Sequence, residues 1–373
     1  MNRTLTLVAG FTFMVLSSSF AQVYSNKVVG KKHEAVSDSI KTTEYKYALP
    51  IWGQKATALG FDLPYSAGLS VQYLWQRSDL VINNLEIGFN NGPKTNIDEI
   101  VRFNNATSKT QGVNFRPDLW IFPFLNIYGI IAKSNSSTSV DFSIYAPDST
   151  GTSQQIFEAS TKADFEGTTV GFGLTPTIGV GGGFLAMDMN FGWTDIAALD
   201  KPAFSFVFGP RFGKTFKFKK EQSLALWTGA FRIKINSGTS GSLPVDELFD
   251  LGGIESKIDN GIVKIDEFQQ QVDTWWNGLS ALEQQNPVNK VKYETAQRAL
   301  DSAGSFLGNL DGAVNNAANS TVQYALDKKQ KQMWNFIVGS QYQLNKHWMV
   351  RAELGFLGSR EQFIGGLQYR FGL

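Results

Sequence analysis

Residues that could support acid–base or nucleophilic chemistry are scarce in this sequence. The chain has 373 residues, no cysteine and two histidines, His33 and His347. Hydrolysis and acyl transfer need a base that titrates near neutral pH, most often a histidine beside a serine or an aspartate. His33 precedes the first patterned strand, and His347 falls beside a predicted short turn. We therefore predict no catalytic residues, and we expect that the protein is not an enzyme.

Cofactor and nucleic-acid sites are not predicted either. The segment Gly209–Thr215 resembles a phosphate-binding loop, but the first glycine of that motif would fall at position 208, which is Phe208. Without cysteine and with two histidines, the chain lacks the usual ligands of a metal site. A net charge of +1 gives no basic footprint for nucleic acid. We predict no metal, no cofactor and no nucleic-acid partner.

Several charged residues alternate with apolar residues along the chain, and this spacing indicates where their side chains point. Period-two alternation places successive side chains on opposite faces of a strand. Two interpretations of the charged face stay open. The charges could form a paired network that fills a narrow barrel, because unpaired buried charges are costly; or they could ring a water-filled pore and set its selectivity. The residues predicted to face inward and line a lumen are Arg116, Asp118, Asp188, Arg211, Arg232, Arg351, Glu353 and Arg370, with Asp141 placed beside them.

The strands that must hold these charges are long and rich in phenylalanine. Residues 204–218 carry Phe at six positions of one face, opposite small or charged residues. A strand of a soluble sandwich is usually about 5–6 residues long. In a membrane barrel, by contrast, the apolar face meets lipid and the polar face lines the interior. The pattern therefore predicts an all-β, transmembrane, antiparallel barrel.

The two ends of the chain support export and membrane insertion. Residues 1–21 have the short basic start, apolar stretch and small-residue cleavage site of a signal peptide. Residues 22–65 are polar without periodicity and are predicted to form a periplasmic N-terminal segment, followed by the barrel at 66–373. The last strand ends in Tyr369-Arg370-Phe371-Gly372-Leu373.

Together these features resemble a Gram-negative outer-membrane β-barrel protein. The resemblance is one of architecture and indicates no single family. It implies location in the outer membrane, contact with outer-membrane lipid, and recognition of the C-terminal strand by the barrel-assembly machinery. Members of this class often end in Phe, whereas this chain ends in Leu373 with Phe371 two residues earlier.

Turn lengths give the topology. Short turns near residues 122–124, 179–182, 219–221 and 345–346 should all lie on the periplasmic side, with longer connections outside. Bacterial barrels have an even number of strands, and we predict about twelve, with fourteen possible. Thirteen segments are patterned as strands: 66–77, 80–90, 113–121, 125–133, 137–146, 154–162, 167–178, 183–194, 202–218, 222–236, 332–344, 347–357 and 361–373.

The segment 237–330 interrupts the barrel pattern. Apolar residues recur at helical spacing from Phe268 to Leu282 and again from Ala296 to about Ala325, which predicts a two-helix insertion in an external loop. The helices could pack on each other above the barrel, plug the lumen or bind a partner. Trp275 and Trp276 could also anchor at the lipid interface.

Three classes of function follow from this organisation. The first is an outer-membrane channel or transporter-like barrel that passes a small solute or an apolar molecule. The alternative is a closed structural or adhesion barrel whose helical insertion binds a partner. A lipid- or peptide-hydrolysing enzyme that depends on His347 is the third.

Overall fold

A computed structural model describes residues 34–197, 199, 201–218, 221–235 and 238–373. The predicted signal peptide, residues 1–21, and His33 lie outside the described residues. Ten antiparallel strands close into a ring in the order β1-β3-β4-β5-β6-β7-β8-β11-β12-β13, because β13 pairs back onto β1. The strands are β1 (Ala67–Phe89), β2 (Thr95–Asn96), β3 (Val101–Phe122), β4 (Leu125–Pro147), β5 (Ser153–Val180), β6 (Gly183–Ile196), β7 (Ala203–Lys217), β8 (Ser223–Ile235), β9 (Gly238–Pro244), β10 (Thr321–Gln330), β11 (Trp334–Gln343), β12 (Trp348–Phe356) and β13 (Arg360–Phe371).

The ring has ten strands, and the predicted count of twelve or fourteen was wrong. Thirteen segments were predicted and the ring has ten strands, because three pairs of predicted segments each form one long strand. β1 covers the predicted segments 66–77 and 80–90, β4 covers the next such pair, and β5 covers the third. The residues between the paired segments are polar, so they resemble turns, but they continue the strands beyond the apolar band.

The outer surface of the ring is apolar where a membrane would surround it. Exposed side chains on that face include Val71, Phe172, Phe212 and Leu354. On β1, β3 and β4 this face becomes polar above about residues 75, 113 and 131, which gives the apolar band an upper edge. A closed ring leaves no strand edge unpaired, and an apolar outside with a polar inside is the pattern of outer-membrane barrels. The protein is therefore a β-barrel of the outer-membrane type.

The short turns lie at one end of the barrel, as predicted. β3–β4, β5–β6, β7–β8 and β11–β12 are joined at this end, where the C-terminus also lies. Short turns mark the periplasmic end of such barrels. The opposite end carries the longer connections, with short links after β10 and β12 as well, and is therefore the outer end.

Four neighbouring strands extend past the outer end of the ring. β1, β3, β4 and β5 have 22 to 28 residues, whereas β6 to β8 have 13 to 15. The upper half of β1 pairs with β10, which pairs with β9. The helices between β9 and β10 pack on this extension, and we call the extension with these helices the outer domain. The helices of the described residues are α1 (Glu34–Lys41), α2 (Gly53–Ala58), α3 (Val245–Leu248), α4 (Ile254–Asn277), α5 (Ala281–Gln284) and α6 (Pro287–Val314), with a 3-10 turn at Ala317–Asn319.

The outer domain has its own hydrophobic core, separate from the lumen. Ile258 of α4 and Leu307 of α6 are fully buried against Ile144 of β4 and Phe157 of β5. The two helices therefore pack on each other and on the extended strands, which confirms a helix pair above the barrel and excludes a plug inside it. None of the described helices is long and apolar enough to cross a membrane.

Two details of the insertion differ from the prediction. It contains β9 and β10 as well as helices, and the second helix ends at Val314 rather than near residue 325.

Trp275 and Trp276 pack within the outer domain. Tyr293 stacks on Trp276 with ring centroids 4.5 Å apart, and the Lys292 ammonium lies 4.4 Å from the centroid of Trp275. Lys292 also donates to the backbone oxygen of Ser149, in the outermost turn of the β4–β5 hairpin. These tryptophans therefore stabilise the outer domain and do not lie at the lipid interface.

Candidate functional site in the barrel lumen

The centre of the lumen holds a network of paired charges around Arg211. Its Nε and Nη2 donate to the two carboxylate oxygens of Glu353 at 2.7 and 2.9 Å, and its Nη1 donates to Asp188. Arg351 and the indole N–H of Trp227 also donate to Glu353, at 3.3 and 2.8 Å. Arg211 is 5% exposed and Glu353 1%. We call these five residues the Arg211 network; it joins β6, β7, β8 and β12 across the lumen.

A second cluster lies nearer the periplasmic end. Asp118 on β3 pairs with Arg370 on β13 at 3.0 Å and accepts from Asn126 and Gln368 at 2.9 and 2.7 Å. Arg370 also donates to the backbone oxygen of Tyr65, in the segment that precedes β1. The cluster thus ties together the seam at which the first and last strands close the ring.

Inward aromatic side chains fill space left by glycines on neighbouring strands. A Cβ on Gly339 would overlap the indole of Trp227, and a Cβ on Gly173 would overlap the ring of Tyr128. Arg116 lies 3.7 Å from the centroid of Tyr128, and Arg351 lies 4.8 Å from that of Trp227, both within cation–π range. The glycines therefore allow the lumen of a narrow barrel to be packed with large side chains.

This packing predicts the effect of adding one methyl group. We expect Gly339→Ala to displace Trp227 from Glu353 and to lower the free energy of unfolding by about 1–3 kcal/mol, the usual range for overpacking. Gly308→Ala is the matched control, because nothing lies within 4 Å of a Cβ there. On the exposed face of α6, alanine should be neutral or stabilising by up to about 1 kcal/mol. Denaturant titrations followed by tryptophan fluorescence would measure both; equal effects at the two glycines would contradict the packing argument.

Seven of the eight residues predicted to line the lumen lie on its inner face. The Arg211 network and the Asp118 cluster bring six of them into direct contact. Arg116, the seventh, contacts Tyr128 and donates to Gln72 at 3.5 Å. The seven are Arg116, Asp118, Asp188, Arg211, Arg351, Glu353 and Arg370.

The predictions for Arg232 and Asp141 were wrong. Arg232 pairs in register with Phe208 and Trp334 and lies 5.9 Å from the Trp334 ring, so it belongs to the outer face. Both faces of β8 are largely apolar, so alternation could not decide its orientation; a long cationic side chain near a strand end can reach the polar interface. Asp141 lies on the extended part of β4 and accepts from Ser160 and Asn105. Because β4 is continuous, its alternation carries through from residue 126, and odd-numbered residues point outward.

The space left between the charged groups is small. A cavity of about 120 Å³ lies among the Arg211 network and the Asp118 cluster. Four arginines and two aspartates line it: Arg116, Arg211, Arg351 and Arg370, with Asp118 and Asp188. Glu353 lies behind this lining, paired with Arg211, so one positive charge is in excess over the three carboxylates. Liquid water occupies about 30 Å³ per molecule, so the cavity suits a few waters or one small solute. In the described part of the chain, no group of three acidic or histidine side chains is arranged to hold a metal ion.

The segment before β1 crosses the periplasmic mouth, and we call residues 45–66 the strap. At one side of the ring, Leu49 donates its backbone N–H to Leu373 of the C-terminus, and Trp120 of β3 donates to Ser66. At the opposite side, Asp62 pairs with Lys217 at the end of β7 with a 2.9 Å contact. β7 is the sixth strand of ten counted from β1, so the strap spans the diameter of the mouth.

The strap is packed as well as tethered. Phe61 and Ala56 are buried against each other. The hydroxyl of Tyr45 donates to the backbone oxygen of Leu49 at 2.7 Å, and burial raises the pKa of Tyr45 to about 12. The hydrogen bond and the burial hold this ring against the strap.

His347 lies at the same periplasmic end. Its ring packs against Tyr65 and Tyr369 with centroids 4.8 and 5.4 Å away, and its Nδ1 lies 2.8 Å from the backbone oxygen of Arg370. These contacts join the strap to the last strand.

Sequence reasoning missed several residues of the lumen. Trp227 and Tyr128 appear in the pattern only as apolar residues of strands whose two faces are both partly apolar. Arg360 was missed because the last strand was predicted to start one residue too late. Counting back from Arg370 in steps of two would have placed it on the inner face.

Comparisons with known proteins add a likeness of fold only. No protein-family model matches the sequence, and no curated protein matches it. The β domain of the Bordetella autotransporter BrkA is 8% identical, with a TM-score of 0.33 over 82% of this chain and 100% of that one. The translocator domain of NalP from Neisseria meningitidis is 8% identical, with a TM-score of 0.30 over 82% and 89% of the two chains. The toluene transporter TbuX of Ralstonia pickettii is 9% identical, with a TM-score of 0.27 over 83% and 90%. Values this low carry no argument about what this chain does.

Proposed function

We propose that the protein is a closed outer-membrane barrel that holds a folded outer domain at the cell surface, where that domain binds a partner. The observation that carries this proposal is the Arg211 network, which occupies the centre of the lumen with paired, buried charges. A ten-stranded ring is only slightly wider than the eight-stranded barrels whose interiors side chains fill. The independent core of the outer domain gives the protein a structured surface beyond the membrane.

Single-channel recording tests the closed barrel directly. We expect the full-length protein, reconstituted in planar bilayers, to show no stepwise conductance. A matched variant with residues 238–330 replaced by a short turn should also be silent if the lumen itself is the barrier. Stepwise conductance of the full-length protein would overturn the closed-barrel proposal. Conductance of the shortened variant alone would show that the outer domain, rather than the network, closes the barrel.

The partner-binding role needs a test on cells. Cells that display the full-length protein should aggregate or attach to surfaces more than cells that display the variant without residues 238–330, at equal amounts of folded barrel. Equal attachment by both would argue against a binding role for the outer domain. It would leave the barrel as an anchor without that activity.

A second candidate is the passage of a small solute, as in a channel or transporter. It is favoured by the polar cavity of about 120 Å³ and its excess positive charge. On this view the strap is the gate, because it crosses the mouth and is held at its far side by the partly exposed Asp62–Lys217 pair. Such a pair contributes little, about 1 kcal/mol or less, and would therefore release easily.

The strap distinguishes the two candidates. If the protein passes solutes, removing residues 34–62 should produce conductance in bilayers or solute uptake into liposomes, with anions passing faster than cations. If the barrel is closed by its lumen, the same variant should remain silent. Asp62→Asn serves as the mild control, since it releases the tether and leaves the strap in place.

A further inference from the structure

The outer end of the lumen contains a further charged residue, Arg360, which neither proposed function uses. It begins β13 opposite Ser78 of β1 and points inward, like Arg370 further along the same strand. Only 1% of the residue is exposed. Its Nη2 donates to the backbone oxygens of Phe231 and Met333 at 3.0 and 3.2 Å, and to the side-chain oxygen of Asn335 at 3.0 Å.

Arg360 has no counter-ion among the described residues. Arg211 and Arg370 both contact carboxylates, whereas no described carboxylate lies within 4.0 Å of the Arg360 guanidinium. Its Nε and Nη1 are buried and lack any hydrogen-bond partner. A guanidinium stays protonated at any physiological pH. Neutral oxygens on one side and the Phe231 ring, 5.3 Å from the guanidinium carbon, stabilise this charge only in part, and a buried charge without an ionic partner is unfavourable.

Two buried amide groups add further unpaired donors beside it. The oxygen of Asn335 is taken by Arg360, and its Nδ2 has no partner. The Nε2 of Gln362 also has none. Both amides meet over Gly355 of β12, where a Cβ would overlap them. Four nitrogen atoms from three side chains thus offer N–H groups without acceptors, against one unpaired acceptor, the oxygen of Gln362.

We propose that Arg360, Asn335 and Gln362 form a binding site for a small monovalent anion, of the size of chloride or formate. The anion would accept the unpaired N–H groups and supply the missing counter-charge. Charge-assisted hydrogen bonds of this kind are about twice as strong as neutral ones. Arg360, Asn335 and Gln362 are 1%, 5% and 2% exposed, and such burial favours a small ion over a lipid phosphate or a peptide carboxylate. This site is independent of whether the lumen conducts, because it concerns binding at its outer end.

The test is the stability of the full-length protein in neutral detergent as chloride replaces the bulky anion isethionate at constant ionic strength. The unfolding midpoint should rise saturably with chloride, and a second series with formate should show whether carboxylates occupy the same site. Arg360→Met should abolish the dependence. Gln362→Leu removes one donor and keeps the charge, and should weaken the apparent affinity about tenfold. Arg298→Met, at an exposed position of α6, is the matched control and should behave as the unaltered protein.

Two results would overturn the proposal. One is an unfolding midpoint of the unaltered protein that depends only on ionic strength and not on the identity of the anion. The other is a saturable chloride effect that Arg360→Met or Gln362→Leu leaves unchanged, which would place the anion elsewhere. If Arg360→Met fails to fold, Gln362→Leu decides alone, because it preserves the guanidinium and its three hydrogen bonds.

Discussion

Arg211→Met is expected to lower the free energy of unfolding by about 3–5 kcal/mol, the range observed when one partner of a buried ion pair is removed. The substitution preserves much of the side-chain volume but leaves Asp188 and Glu353 without their shared cation. Both carboxylates are buried, so the few waters that the adjoining cavity could hold would replace the cation only in part. Equilibrium unfolding in urea from detergent micelles or lipid vesicles would give the difference.

Two further variants separate charge from packing. Arg211→Met combined with Asp188→Asn and Glu353→Gln removes three of the four charges of the network, and the fourth, Arg351, is partly exposed. The variant should recover a large part of the lost stability, because neutral amides are less costly to bury than ions. Arg298→Met makes the same chemical change on an exposed helix face and should stay within about 0.5 kcal/mol of the unaltered protein. If Arg211→Met were as mild as this control, the network would not hold the barrel together.

Leu307→Ala is expected to destabilise the outer domain by about 2–5 kcal/mol, the range for a fully buried leucine. Leu307 is on α6, and its side chain packs against α4, where it fills the space above Gly261. No residue of β6, β7 or β8 belongs to this core, so these three strands should keep their stability. Hydrogen exchange should therefore become faster in α4 and α6 and stay unchanged in β6 to β8.

Leu282→Ala provides a control with the same chemistry. Leu282 follows the first long helix and is 81% exposed, so its loss should change stability by no more than about 0.5 kcal/mol. Faster exchange in β6 to β8 of the Leu307 variant would contradict the separation of the two cores. It would mean that the outer domain and the barrel unfold as one unit.

The sequence was most informative where one face of a strand meets lipid. Phe212 and Leu354 were predicted to face outward, and Arg211 and Glu353 inward, because apolar and polar residues alternate around them, with Lys214 as the one exception on the phenylalanine face. The predicted turns at the periplasmic end were correct for the same reason. Their positions follow from where the alternation stops.

The predictions were wrong where both faces of a strand meet a similar environment. The polar residues Ser134–Ser136 were predicted to separate two strands, yet they belong to β4. This part of the strand lies above the membrane, where neither face needs to be apolar. The opposite problem affects β8, whose Trp227 points into the lumen while its Leu226 faces outward. Which of the two apolar faces is the outer one depends on how β8 pairs with its neighbouring strands. That pairing is determined by the whole ring and not by the sequence of β8 alone.

The pairing of β1 has a consequence for the order in which the molecule is assembled. β1 is the first barrel strand of the chain, but one of its edges is completed only by late segments: Gln330 lies beside Leu80, and Gln362 lies beside Gln76. Contacts between residues so far apart in sequence form slowly, because a long loop must close first. The last 50 or so residues therefore finish the barrel and the outer domain together along a single strand. A chain interrupted before residue 321 would leave that strand half-paired both inside and above the membrane.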